Sequence, residues 1–166
     1  MTTVHGSRTY PVSIDAFIAM LRDPDATVAK YAGMGHEQIE VVQCGDVDGE
    51  LRVETNRVVT VDLPGFAKKV LQPTNRMHQV DVWCQESDDA WSGSFDVEVH
   101  GAPIRLTGVL SLRGDGDTTT QDVTIEVTVK VPLIGGKIAD WAAGNDVRRT
   151  LDAEFDHNAR WLAGER

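Results

Sequence analysis

The stretch VPLIGGKIADW, residues 131–141, decides how this chain is read. Before it lies VTIEVTVKV, residues 123–131, in which Val123, Ile125, Val127, Val129 and Val131 alternate with polar residues. A period of two places them on one face of a strand. After it the period lengthens. Ile134, Ile138, Trp141, Leu151, Phe155 and Leu162 recur at spacings of three, four and seven, with one gap between Trp141 and Leu151. That is the stripe of an amphipathic helix. Pro132 offers no backbone donor, so it ends the last strand. Gly135 and Gly136 allow unusual dihedrals and leave no side chains at the joint, so the helix can turn back closely across the buried face of the sheet. A helix running to Leu162 is about 45 Å long, and a sheet must curl around it to cover the stripe.

The remaining chain supplies that sheet. Val4–Val12 reads as a first strand. Ser13 is a helix N-cap before Ile14, Phe17, Ile18 and Leu21, and Pro24 ends that helix. Residues 25–34 form a second short helix, stopped by Gly33 and Gly35. Strands follow on either side of Asp48-Gly49. The segment from Pro64 to Asn75 is a turn with about one helical turn in it. HQVDVWCQE, WSGSFDVEV and IRLTGVLSL alternate as strands, with a turn at residues 114–117. In the first of these, one phase turns Val80, Val82 and Cys84 inward, with Trp83 outward. Each strand has one wet face and one apolar face, as in an antiparallel sheet covered on one side.

A sharply curved sheet and one straight helix do not close-pack along their whole length, so the fold encloses a cavity. The polar residues in the inward phase are therefore of most interest. Arg57 shares a face with Val53, Val59 and Val61, and His78 with Val80 and Val82; Asn145 and Asp152 lie beside the helical stripe. A buried Arg57 requires a carboxylate, a bound anion or water. Trp91, Phe95, Leu110, Trp141 and Phe155 supply apolar wall, and Trp91 can stack on a flat ligand.

The net charge of −10 excludes a nucleic-acid partner, since neither Lys68-Lys69 nor Arg148-Arg149 makes a basic patch. No apolar run approaches the ~20 residues of a membrane helix, and MTTVHGSRTYPV has no apolar signal core. Integral membrane association is excluded on this reading, and the expected location is cytoplasmic. Cys44 and Cys84 are expected as reduced structural thiols. The five histidines are scattered without ligand spacing, so no metal is expected. Nucleophile-elbow, zincin, P-loop and dinucleotide motifs are absent, and no cofactor is expected.

The order β, two short helices, six strands in hairpins and one long helix resembles the START-like, or polyketide-cyclase (SRPBCC), superfamily. The resemblance runs from Tyr10-Pro-Val-Ser-Ile-Asp-Ala-Phe through VPLIGGKIADW to the end. The joint itself looks most like an actinobacterial group within that superfamily to which no reaction is assigned. The resemblance implies an α+β helix-grip fold filling residues 1–166 as a single domain. Its seven-stranded antiparallel sheet would curl around the long C-terminal helix, with two short helices after strand 1. It also implies a cavity for a hydrophobic small molecule: a lipid, a fatty acid or a polyketide-like compound. Three functions stay open. The first is binding or transport without chemistry, with Arg57, His78, Trp91, Phe95, Leu110, Trp141, Asn145, Asp152 and Phe155 as ligand contacts. The second is a cyclase, aromatase or hydrolase using Arg57, His78 and Asp152. The third is a protein-interaction module, a homodimer included.

Overall fold

A computed structural model describes residues 1–165. The elements run β1 (Thr2–Tyr10), α1 (Ile14–Leu21), α2 (Pro24–Gly33), β2 (Glu37–Val47), β3 (Glu50–Thr60), β4 (Thr74–Ser87), β5 (Ala90–Val99), β6 (Ile104–Asp115), β7 (Thr118–Val129), α3 (Gly135–Ala142) and α4 (Arg148–Leu162). The seven strands form one antiparallel sheet in the order β1-β7-β6-β5-β4-β3-β2. The helix-grip fold expected from the sequence is thus present. No helix among the described residues is long and apolar enough to cross a membrane.

The caps fall where the side chains dictate. Ala16 donates its backbone N–H to Ser13 Oγ at 3.2 Å, and Asp25 donates to Asp23 Oδ1 at 2.9 Å. Pro24 does not end α1. It stands at the first position of α2, where its missing N–H costs nothing.

At the joint the work is divided differently from the expectation. The left-handed backbone belongs to Leu133, at φ +71°, and not to a glycine. Gly135 serves close approach instead: a Cβ there would lie 2.5 Å from the Val129 carbonyl oxygen. Gly136 faces open space. A Cβ on Gly135 would therefore push the helix start off the end of β7.

The gap in the helical stripe has a structural counterpart. A π-helical turn over Ala143–Val147 joins α3 to α4 without a break. Its extra residue resets the helical phase. Ile138, Ala139 and Ala142 before it, Val147 at its end, and Leu151 and Phe155 after it are all buried. Without that turn one of the two halves would rotate away from the sheet.

Inside the sheet, aromatic rings lie over glycines of the neighbouring strand. Phe95 pairs with Gly108 and Trp83 with Gly93, and a Cβ on either glycine would collide with the ring. The phase of β4 corrects the sequence reading. Opposed residues share a face, and β3 pairs Leu51 with Trp83, Val53 with Asp81, Thr55 with Gln79 and Arg57 with Met77. Met77, Gln79, Asp81 and Trp83 thus face inward, while His78, Val80, Val82 and Cys84 face outward.

Candidate functional site: an apolar cavity with a charged wall

Between the sheet and the C-terminal helix lies a cavity of about 160 Å³. Its apolar walls include Val59, Phe95, Val97, Leu110, Trp141, Ala142, Leu151 and Phe155. One part of the wall is polar, built by α2, the link from α2 to β2, β3, β4 and α4: Lys30, Tyr31, His36, Arg57, Gln79, Asp81 and Glu154.

Arg57 organises this wall. It is 5% exposed. Its Nε donates to His36 Nδ1 at 3.0 Å, its Nη1 to Thr55 Oγ1 at 2.9 Å and its Nη2 to Gln79 Oε1 at 2.6 Å. The guanidinium lies 3.8 Å from the centroid of the Tyr31 ring. Gln79 in turn donates through Nε2 to Asp81 Oδ1 at 2.8 Å. Arg57 and Asp81 are thereby linked through one amide. Tyr31 also stacks on His36, with the ring planes 9° apart.

Lys30 Nζ meets Glu154 Oε1 at 2.8 Å. Burial pulls the Lys30 ammonium down, but the Glu154 carboxylate, with Tyr31 and Asp81 behind it, outweighs that pull and holds the ammonium well above its ordinary range. Burial likewise pushes Glu154 up, and Lys30, helped by Arg57 and His36, overrides it, leaving the carboxyl below its usual value. Both stay ionised.

Two further groups are tuned. His36 is lowered to about 4, by burial first and then by Arg57. It is neutral at pH 7, and its Nδ1 accepts from Arg57, so the ring proton sits on Nε2. Asp81 is raised to about 6 by burial, only partly countered by Lys30 and Gln79.

Of the residues singled out in the sequence, Arg57, Phe95, Leu110, Trp141 and Phe155 line the cavity. His78 lies on the outer face, with Nε2 2.8 Å from Glu54 Oε2. Trp91 belongs to the buried core and stands under Arg22, 5.8 Å from ring centroid to guanidinium. Asn145 is exposed and caps the Trp141 carbonyl, and Asp152 is exposed on α4. The sequence reading missed Lys30, His36, Asp81 and Glu154. Glu154 had a signal, since it follows Leu151 by three on the buried face of α4. Lys30 and His36 had none, because their neighbours here are distant in the chain.

Trp83 was also missed. It is 2% exposed and lines the cavity. Its indole Nε1 has no hydrogen-bond partner.

Solved structures share this fold. A protein from Thermus thermophilus matches with a TM-score of 0.64 at 16% identity, over 99% of this chain and 100% of its own. Ara h 8.0201 matches with a TM-score of 0.62 at 12% identity, over 98% of each chain. Norcoclaurine synthase from Thalictrum flavum matches with a TM-score of 0.57 at 13% identity, over 98% of this chain and 86% of its own. At these identities the likeness concerns the fold alone. A search of curated proteins returned no match. The model of one family, described as a protein of unknown function (DUF2505), matches residues 5–162, and the chain belongs to that family.

Proposed function

We infer that the protein binds a compact hydrophobic molecule in the cavity. Its apolar body would lie against Phe95, Leu110, Trp141 and Phe155, and its polar end would face the wall around Asp81. The cavity itself carries this reading. At about 160 Å³ it exceeds by an order of magnitude the space one water needs, and it is close to the ~150 Å³ at which an apolar cavity holds benzene. A ring system fits that volume. A long acyl chain would require the cavity to open, so among the hydrophobic classes a compact one is favoured over a fatty acid.

The test is native mass spectrometry of the purified protein, followed by organic extraction. The expected result is a one-to-one adduct of a small hydrophobic compound, or uptake of one when such compounds are supplied. A protein that carries none and takes up none contradicts the reading.

An enzymatic reading has one observation in its favour. The Asp81 carboxyl, raised to about 6, is poised to exchange a proton near neutral pH at the cavity wall. One structure of the same fold is a norcoclaurine synthase. Incubating the extracted compound with the protein and following its mass decides between carriage and conversion. Conversion should then be lost in Asp81→Asn.

A further inference from the structure

The two ends of the sheet differ in charge. Three hairpin turns stand at one end: DVDGE (residues 46–50), ESDDA (86–90) and DGD (115–117). They hold eight carboxylates and no lysine or arginine. The opposite end is made by the connections 61–73, 99–104 and 129–138. These hold Lys68, Lys69, Lys130 and Lys137, with Asp62 as their one carboxylate. In the sequence Lys68-Lys69 stands alone, and the fold brings the other two lysines to the same end. Leu63, Ala67, Leu71 and Ile138 form a small core of their own that ties two of the connections together. Lys130 donates its backbone N–H to the Pro103 carbonyl at 2.8 Å and so ties in the third. All four lysines are exposed. Lys137 Nζ rests 4.3 Å from the centroid of the Phe66 ring. Lys68, Lys69 and Lys130 make no ion pair among the described residues.

Leu133 stands in the same end, 104% exposed, with Lys130 and Lys137 on either side of it in the chain. Its φ of +71° is one that a side chain with a Cβ disfavours. A strained backbone thus holds an apolar side chain out into solvent among uncompensated cations. The same connections reach the cavity, since Leu63, Leu71, Ala102 and Ile104 line it.

We propose that this end docks on an anionic lipid membrane, with Leu133 entering the interface and the four lysines facing the headgroups. The inference goes beyond the cavity reading and does not depend on it. Docking is peripheral, as no helix among the described residues can span a bilayer. A bilayer meets both features at once, because it takes up an apolar side chain and attracts lysines. The hairpin turns of a second copy would offer carboxylates, but no large apolar residue is exposed there to receive Leu133. The eight carboxylates do not oppose docking, since β7 sets them about 35 Å away, several times the ~8 Å over which charges act at physiological salt.

The test is co-sedimentation of the full chain with vesicles of phosphatidylcholine alone and of equal parts phosphatidylcholine and phosphatidylserine. The chain should prefer the anionic vesicles and leave them at high salt. Lys68→Gln, Lys69→Gln and Lys130→Gln should each weaken binding about fivefold. Leu133→Gly should weaken it about tenfold. Glycine adopts a positive φ without strain, so the unfolding midpoint of that variant should not fall, and its loss of binding is then not a loss of fold. Leu133→Trp should add emission that shifts to the blue on anionic vesicles. Equal binding to both vesicles overturns the proposal, as does undiminished binding of Leu133→Gly. Capture of polyglutamate, or self-association, in place of vesicle binding overturns it too. Native mass spectrometry reads the cavity separately, so failure of either reading leaves the other standing.

Discussion

The Arg57 guanidinium lies 3.8 Å from the centre of the Tyr31 ring, and it donates only to neutral acceptors. A buried cation without a direct carboxylate partner is stabilised here by a π-face, three aligned donors and the more distant charges of Asp81 and Glu154. Arg57 is thus a strut between α2, β3 and β4 rather than a waiting anion receptor.

The planar fork is what the strut requires, and lysine cannot reproduce it. Arg57→Lys is expected to lower stability by about 2 kcal/mol, since it leaves two of three acceptors unpaired. Urea unfolding measures this. A loss within about 0.5 kcal/mol, typical of surface changes, would contradict the role.

The Lys30–Glu154 pair should be expensive to break singly and cheap to replace whole. Lys30→Met or Glu154→Leu leaves a shielded charge and is expected to cost about 3 kcal/mol. The double variant should cost far less than either alone. A double-mutant cycle gives the coupling directly, and additive losses would contradict an interacting pair.

His36 and Asp81 titrate in opposite senses. His36 is lowered from 6.5 to about 4, so its contribution to stability is complete above pH 6.5 and is lost as pH falls toward 4. Asp81 is raised from 3.8 to about 6, so its contribution is complete below pH 3.8 and is lost as pH rises through 6. Each effect is at most on the order of 3 kcal/mol, and less for the access to solvent that remains. Across this window the two offset. Asp81→Asn should make stability climb with pH more steeply than in the wild type, and His36→Gln less steeply. Denaturation midpoints between about pH 4 and about pH 6.5 test this. Profiles parallel to the wild type in both variants would refute it.

The two glycines of the joint should behave differently. Gly135→Ala places a Cβ 2.5 Å from the Val129 carbonyl oxygen and is expected to cost about 1–3 kcal/mol. Gly136→Ala meets nothing and should be neutral or stabilising by up to about 1 kcal/mol. Thermal unfolding of the pair checks it, and equal effects would show that close approach is not what Gly135 provides.

The architecture was legible because alternation and helical spacing are local. Val123 to Val131 and Ile134 to Leu162 state their own periods. The phase of β4 was not, for a physical reason. Its inward residues, Gln79 and Asp81, line a cavity instead of packing a core, so its apolar residues Val80 and Val82 are left on the outer face. Hydrophobic alternation then points the wrong way, and only the pairing with β3 corrects it. The π-helical turn announced itself as the gap after Trp141 without revealing its geometry. Arg57 was visible as a charge among valines. Glu154 had the helical spacing from Leu151, whereas Lys30 and His36 join Arg57 only through contacts between distant segments, which no spacing encodes.

The most direct test is calorimetric titration with naphthalene, an uncharged ring compound of the size the cavity holds, in the wild type and in Leu110→Trp. The variant fills the cavity from β6. The account expects one saturable site in the wild type, weakened at least about tenfold in the variant while its unfolding remains cooperative. Absence of a saturable site, or equal affinity in both proteins, would contradict an internal binding cavity.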